Sequence, residues 1–395
     1  MKDFWKETED LQTKKINKKK IIIISIIIVI LIALITISII YVKNQQVREW
    51  IDKNIFRKEV MQNNVTTIEL KDEQNNNIYA FNKYIGILNK TKLSIYNQNG
   101  NEEAQLEIQI SNPIFNSANR FLTIAENQGQ KFYLIEDKEI KWEADVEGNI
   151  SQINVNKNRY VAVVITGTSY KTVIAMYSPE GKELFKTYLS TSRAVDVSIS
   201  NDNKYLAIAE VDTSGTVIKS NIKIISIEKA STDPTNSVEK TYEEENGKLI
   251  TNIQYQDKNR LVCMYSNEID VIEDEQEKNL VDNQNKKIIF QSIELTNNII
   301  SIEEESSGLF TANSSVNIIN VQNKETKNYK AESVTKEIVT NGDKIALNLG
   351  TEVEFINTEG WLVKRYIANQ EITSIVMSDS LAGIIYRDKI EIVNF

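Results

Sequence analysis

From Thr66 to the end of the chain, apolar residues come in short runs separated by turns of Asn, Asp, Gly and Lys. Runs of this length, many alternating apolar with polar, predict β-strands rather than helices. One pattern recurs. "KYLAIA" at Lys204–Ala209 returns as "KYIGIL", "RFLTIA" and "RYVAVV", and more loosely as "RLVCMY", "NIISIE", "KIALNL" and "SLAGII". Aligning Tyr84, Phe121, Tyr160, Tyr205, Leu261, Ile299, Lys344 and Leu381 gives spacings of 37, 39, 45, 56, 38, 45 and 37 residues. Each copy is followed by a further strand, from "KLSIY" to "KIEIV", and turns such as "NQNGN", "SPEGK" and "NTEGW" suit hairpins between outer strands.

A period of this size, with four strands to a unit, predicts an all-β fold: a β-propeller of eight blades, or of seven if the weak copies around Leu261–Ile299 are misread. Closure of the ring is legible at the ends. The last unit supplies only three strands, "ITSIVMS", "LAGIIY" and "KIEIVNF", while a spare strand, "TTIEL" (Thr66–Leu70), precedes the first complete unit. Adding the spare strand to the last blade removes the open edges. Small residues within the repeat (Gly86, Thr123, Ala162, Ala207, Ser301, Ala346 and Gly383) predict close packing of one blade on the next. The long 56-residue spacing holds an insertion at Glu228–Lys248, polar and aperiodic with Pro234 inside it, which reads as a long surface loop.

The N-terminal pattern is of another kind. Ile21–Val42 is a run of 22 residues without a charge. As a helix, such a run is about 33 Å long, enough for the hydrocarbon core of a bilayer. It is too long for a core strand and for the apolar part of a cleaved signal peptide. A single transmembrane helix at 21–42 is therefore expected ahead of the propeller. The basic stretch "KKINKKK" at its N-terminal end predicts a cytoplasmic tail at 1–20 and an exported remainder. Val47, Trp50, Ile51 and Phe56 then lie at roughly helical spacing, which predicts a juxtamembrane stalk helix over 43–64 and the propeller over 65–395.

Charge and composition narrow the chemistry. Residues 1–60 hold 12 Lys and Arg against 7 Asp and Glu, leaving 34 against 48 in the rest, a net of −14. That excess repels nucleic acid, so no nucleic-acid partner is expected. There is no histidine and a single cysteine, Cys263. The commonest general base, the Ser–His and Cys–His nucleophile systems and a disulfide framework are therefore absent.

Two resemblances attach to particular stretches. "SNDNKYLAIA" (Ser200–Ala209) resembles the Ser-Pro-Asp-Gly-Lys-x-Leu-Ala repeat of TolB-type and WD40-like propellers, with Asn201 and Asn203 in place of Pro and Gly. "IFRKEV" (Ile55–Val60), "NPIF" (Asn112–Phe115), "GTSYK" (Gly167–Lys171) and Ala194–Thr216 resemble an uncharacterised family of Gram-positive bacterial proteins. That resemblance implies one N-terminal membrane anchor and an extracytoplasmic propeller in the bacterial cell envelope. It implies no catalytic residue.

Catalytic propellers leave marks that are missing here. "SNDNKY" keeps Ser200 and Asp202 of a sialidase-type Asp box but lacks its Gly and Trp. Only Trp142 and Trp361 fall in the repeats, too few for a quinone-docking motif, and no phosphate loop, dinucleotide fingerprint or Ca²⁺ loop occurs. No catalytic residue, cofactor or metal is expected. The acidic runs Glu273–Glu277 and Glu303–Ser306 read as solvated surface.

Strand order offers one candidate site. The loop between the second and third strands of a blade opens on the same face as the connection to the next blade. "TGTSYK", "YLSTSR" and "DTSGT" hold those positions in blades 3 and 4. Thr168, Ser169, Tyr170, Lys171, Tyr188, Arg193, Asp212 and Ser214 should then share a face suited to a peptide, a carboxylate or a glycan. Turn-forming residues alone would give the same sequence. The expected function is a non-enzymatic binding or scaffold module, anchored by Ile21–Val42, for a protein or other cell-envelope partner. The alternatives are a receptor for a small ligand or cell-wall saccharide, and an enzyme working with carboxylates, Tyr and Lys alone.

Overall fold

The second strands of the repeats, and the third strand of some, are apolar at consecutive positions because they are covered on both faces. Val161–Thr166 and Thr172–Tyr177 are buried almost throughout, whereas the fourth strand of the preceding repeat, Glu139–Asp145, alternates exposed with half-buried. A sheet covered on two sides and ending in a solvated edge is the unit of this fold.

The structure, a computed structural model, describes residues 18–43, 51, 55, 65–70, 76–244, 247–256, 260–306, 312–331 and 333–395. The chain forms two units, Met1–Val60 and Met61–Phe395. In the first, α1 (Lys18–Lys43) carries the apolar run as a helix, and its described side chains, residues 26–40, are exposed. Over those described side chains alone, no helix is long and apolar enough to cross a membrane. The expected tail, except residues 18–20, and the expected stalk, except Lys43, Ile51 and Ile55, lie outside the described residues.

The second unit is an eight-bladed β-propeller, which removes the seven-bladed alternative. Eight four-stranded antiparallel sheets cover residues 76–107, 113–145, 149–189, 192–244, 250–282, 288–330, 337–367 and 374–394. The last has three strands of its own and takes Thr66–Glu69 as its fourth, with Thr66 opposite Ile392 and Glu69 opposite Lys389. The spare strand and the deficient blade thus complete one another as expected.

Hydrophobic burial is divided into eight slabs, one between each pair of neighbouring blades. Val164, Ile174 and Met176 of blade 3 meet Val197, Leu206 and Ile208 of blade 4. The closing slab joins Ile68, Leu381 and Ile392 of blade 8 to Ala80, Ile85 and Ile87 of blade 1. Small residues set the spacing there. A Cβ on Gly383 would sit 3.1 Å from Ile85 Cδ1 of the next blade and 3.0 Å from Val376, closer than packing tolerates without a shift.

Two faces follow from the strand order. The hairpin face carries the turns between first and second and between third and fourth strands. The crossover face carries the remaining loops and the blade-to-blade connections. "SNDNKY" turns on the hairpin face, where Ser200 Oγ accepts from the backbone N–H groups of Lys204 and Tyr205 and Asn203 takes φ 61°. Asn156 of blade 3 donates to Asn203 Oδ1 at 2.6 Å, stitching the two turns together.

Two expectations are corrected. The Glu228–Lys248 insertion is not one loop: a helical turn at Ile227–Ala230 and a 3-10 turn at Pro234–Asn236 lead into the strand Val238–Glu244, the fourth of blade 4. Its alternation was hidden by being polar on both faces. The acidic run Glu273–Glu277 is likewise only partly solvated. Glu273 pairs with Arg260 at 2.6 Å, and half-buried Glu277 accepts from Tyr265 Oη at 2.9 Å.

Candidate functional site

All three predicted loops open on the crossover face. The 166–171 loop is held to the next connection by the Lys171 N–H, which donates to Leu189 O at 3.0 Å. Gly167, at φ 74°, lets the chain turn there. Thr168 Oγ1 accepts from the Tyr170 N–H at 3.1 Å, so it shapes the loop. This geometry projects Tyr170 against Tyr188. The ring centroids are 4.7 Å apart at 46°, and the side chains remain 41% and 52% exposed. Ser169, Lys171 and Arg193 are exposed, and neither cation forms an ion pair among the described residues.

Asp212 and Ser214 form a capped turn beside the connection that carries Tyr188 and Arg193. Asp212 Oδ1 accepts from the Ser214 N–H at 2.8 Å. Hydrogen bonds from Ser214, then Thr191, hold the Asp212 carboxyl below the usual aspartate range. Among the described residues, no hydrogen bond or ion pair joins Asp212 or Ser214 to Tyr170, Lys171 or Tyr188. The eight predicted residues therefore share a face, as an aromatic pair and a capped turn that Thr191 ties to the same connection. Val195, Val217 and Ile218 add exposed apolar surface in blade 4.

A second region was not foreseen. The first strands of seven blades and the turn after the first strand of blade 6 line an axial cavity of about 470 Å³, which adjoins another of about 290 Å³. The two share Gln254, Glu294, Val339 and Thr340 as common wall. Asp196, only 7% exposed, lines the smaller cavity and pins three blades together. Its carboxylate accepts from Gln152 Nε2 of blade 3 at 2.5 Å, from its neighbour's Val197 N–H at 2.9 Å, and from the Ile253 N–H of blade 5 at 2.8 Å. Burial raises the Asp196 carboxyl above its ordinary range, and these donors oppose the rise. Glu294 of blade 6 is solvent-exposed where it lines both cavities. Desolvation first, and the Asp196 charge second, push its carboxyl up, while a hydrogen bond with Thr340 pulls it down.

In sequence, Asp196 and Glu294 looked like ordinary polar positions of alternating strands. Only the periodicity of first strands, all of which meet at the axis, carried a signal for them.

Residues 57–395 match the model of a family described as being of unknown function, DUF5711. The chain belongs to that family. No curated protein matches the DUF5711 chain. Among solved structures, the dihydro-heme d1 dehydrogenase NirN in complex with DHE is similar at a TM-score of 0.51 and 11% identity, over 83% of this chain and 75% of that one. BamB from Moraxella catarrhalis aligns at 0.49 and 11% identity over 84% of this chain and 99% of its own. AztD from Citrobacter koseri aligns at 0.49 and 8% over 81% and 90%. At these identities the likeness to NirN speaks for the propeller fold of the DUF5711 chain and for nothing else; the other two carry no argument.

Proposed function

We propose that this DUF5711 propeller is a non-enzymatic binding module, anchored in a bacterial cell membrane by the 21–42 helix and displayed outside the cytoplasm. Its partner is a protein or another cell-envelope component, bound on the crossover face of blades 3 and 4. The Tyr170–Tyr188 pair carries the reading: two large aromatic side chains held together in solvent on a rigid frame. Leaving such surface in water is unfavourable, and aromatic anchors beside Arg are what buried interface centres are made of. Exposed Lys171 and Arg193 add charge without an internal partner among the described residues. The anchor rests on the uncharged run at Ile21–Val42 and its basic flank.

A small ligand or cell-wall saccharide on the same face is the second reading. It is favoured by the tilted tyrosines, whose faces suit a sugar ring, beside the hydroxyls of Thr168 and Ser169. The two separate in one experiment. The full chain and its Tyr170→Ala/Tyr188→Ala variant are cross-linked in their own membrane and purified, and both are titrated with a muropeptide. A protein recovered with the parent and lost from the variant supports the module. Equal recovery from both sinks it, and tyrosine-dependent muropeptide binding without a protein partner transfers the site to the saccharide.

A further inference from the structure

A third cavity, of about 340 Å³, opens on the hairpin face between blades 4 and 5. Strand register explains its walls. On blade 5, Tyr255, Leu261 and Ile272 stand opposite one another across the first three strands, all buried. On blade 4, Ile224 stands opposite Lys240, and Tyr205 and Tyr242 complete the wall. The insertion builds the rim. Lys229 of its helical turn pairs with Glu239 at 2.8 Å. Lys240 reaches across the gap to the Glu275 carboxylate at 3.6 Å and donates to the Glu275 carbonyl oxygen. Exposed Asp274 joins the rim with no ion pair among the described residues.

The tyrosines carry the chemistry. Among the described residues, the hydroxyls of Tyr205, Tyr242 and Tyr255 make no hydrogen bond. Tyr255 is only 6% exposed, so it brings an unpartnered phenol to the wall of an otherwise apolar slab. A polar group in that position costs free energy until something in the cavity supplies the bond. Burial raises the Tyr255 phenol and, with the charges of Glu275 and Glu277, brings that of Tyr242 up to about 12. Both therefore stay protonated, able to donate as well as accept, at neutral pH.

We infer that this cavity binds a neutral sugar, a pyranose ring set against Ile224, Leu261 and Ile272 with its hydroxyls bonded to the tyrosines and to Asp274. The lining decides between ligand classes. A purely apolar ring leaves three phenols and a carboxylate unmatched. A pyranose offers a carbon face to the aliphatic wall and a girdle of hydroxyls that both donate and accept. The rim sets the charge. Glu239 and Glu275 are neutralised by Lys229 and Lys240, and the remaining Asp274 repels an anionic sugar. An organic cation finds its best place taken, because Lys240 Nζ already lies 5.0 Å over the Tyr242 ring. About 340 Å³ is the room of a small molecule. The cavity opens on the face opposite Tyr170 and Tyr188, so the inference does not rest on the partner surface proposed there.

The test is ligand-observed NMR titration of the full chain in a detergent without a sugar headgroup. The probes are the methyl glycosides of glucose, galactose and N-acetylglucosamine, with anionic glucuronate and apolar cyclohexanol as controls. Saturable binding of a neutral glycoside, about fivefold or more tighter than either control, supports the assignment. Tyr255→Phe keeps the ring and removes one hydroxyl. It should weaken the glycoside about threefold or more, while its melting temperature equals or exceeds the parent's because the lost hydroxyl had no partner. Asp274→Asn, a residue at home at the φ of 50° found there, should bring glucuronate closer to the glycoside in affinity. Tyr170→Ala/Tyr188→Ala should leave glycoside binding unchanged, whatever it does to partner recovery. The inference is overturned by no saturable binding of any of the three glycosides, by a control that binds as tightly, or by binding that Tyr255→Phe leaves unchanged. Loss of glycoside binding in Tyr170→Ala/Tyr188→Ala also overturns it, by moving the sugar to the other face.

Discussion

The channel wall and the crossover face of blades 3 and 4 use the same residue types and hold them in opposite ways. Asp196 and Asp212 lie in the same blade. The first is buried, accepts hydrogen bonds from blades 3, 4 and 5, and has its carboxyl raised by burial. The second caps a turn in solvent, and its carboxyl is lowered by Ser214. Position on the ring, not residue type, decides whether a polar group is structural or available.

The contrast is sharpest in stability. Asp196→Ala orphans three donors in a buried setting, where each unmet group costs about 1–3 kcal/mol, so the variant should lose about 3 kcal/mol or more in urea unfolding. Asp212→Ala, which removes a cap in solvent, should lower the midpoint only slightly. A similar loss from both variants would remove the distinction between pin and cap.

Blade 5 provides an intermediate case. Burial, then Glu268, push the Asp270 carboxyl from an ordinary 3.8 up to about 7. A carboxyl raised on folding supports the fold most when protonated, so its contribution is full below about pH 4 and is lost as pH rises through about 7. Asp270→Asn stays neutral and keeps an acceptor for Asn279, which donates to Asp270 at 2.9 Å. Its melting temperature should exceed the parent's by about 2 °C or more at pH 8 and match it near pH 4. A constant gap across that range would show that Asp270 is not the titrating group.

Smaller effects of opposite sign should separate channel from face. Glu294 is raised on folding, so it supports the fold at low pH and opposes it as pH rises through its folded value. Glu294→Gln should therefore melt slightly higher than the parent at pH 8. Asp212 is lowered, so its support is present above its unfolded value near 3.8 and fades as pH falls through the folded one. Asp212→Asn should melt slightly lower at pH 7 and converge with the parent in acid. Smallest of all is the stability change in Tyr170→Ala/Tyr188→Ala, whose rings are exposed; its melting temperature should stay within about 1 °C while partner recovery falls. A large drop in melting would make the tyrosines a packing feature rather than a binding one.

The repeats were legible because blade packing imposes them locally. Residues from Tyr84 to Leu381 in the alignment fall at or within one residue of the start of second strands, and Thr66–Glu69 closes the ring as its pattern predicted. The strand Val238–Glu244 was missed because an outer strand solvated on its free edge need not be apolar, so no period-2 hydrophobicity marks it. The candidate face was half legible: chain order alone placed its loops together, but the Tyr170–Tyr188 ring contact and the Ser214 cap on Asp212 depended on how each loop is hydrogen-bonded.

By itself, then, the sequence determined what depends on neighbours along the chain: most of the strands, the propeller repeat, the closing strand, the uncharged helix and the absence of histidine chemistry. The tertiary structure alone decided what depends on distance across the ring. Asp196 and Ile253 are 57 residues apart and share a hydrogen bond, and Glu294 feels the Asp196 charge from 98 positions along the chain. Burial and electrostatic fields act through space, so no local pattern encodes them, and the channel became visible only when the eight first strands met at one axis.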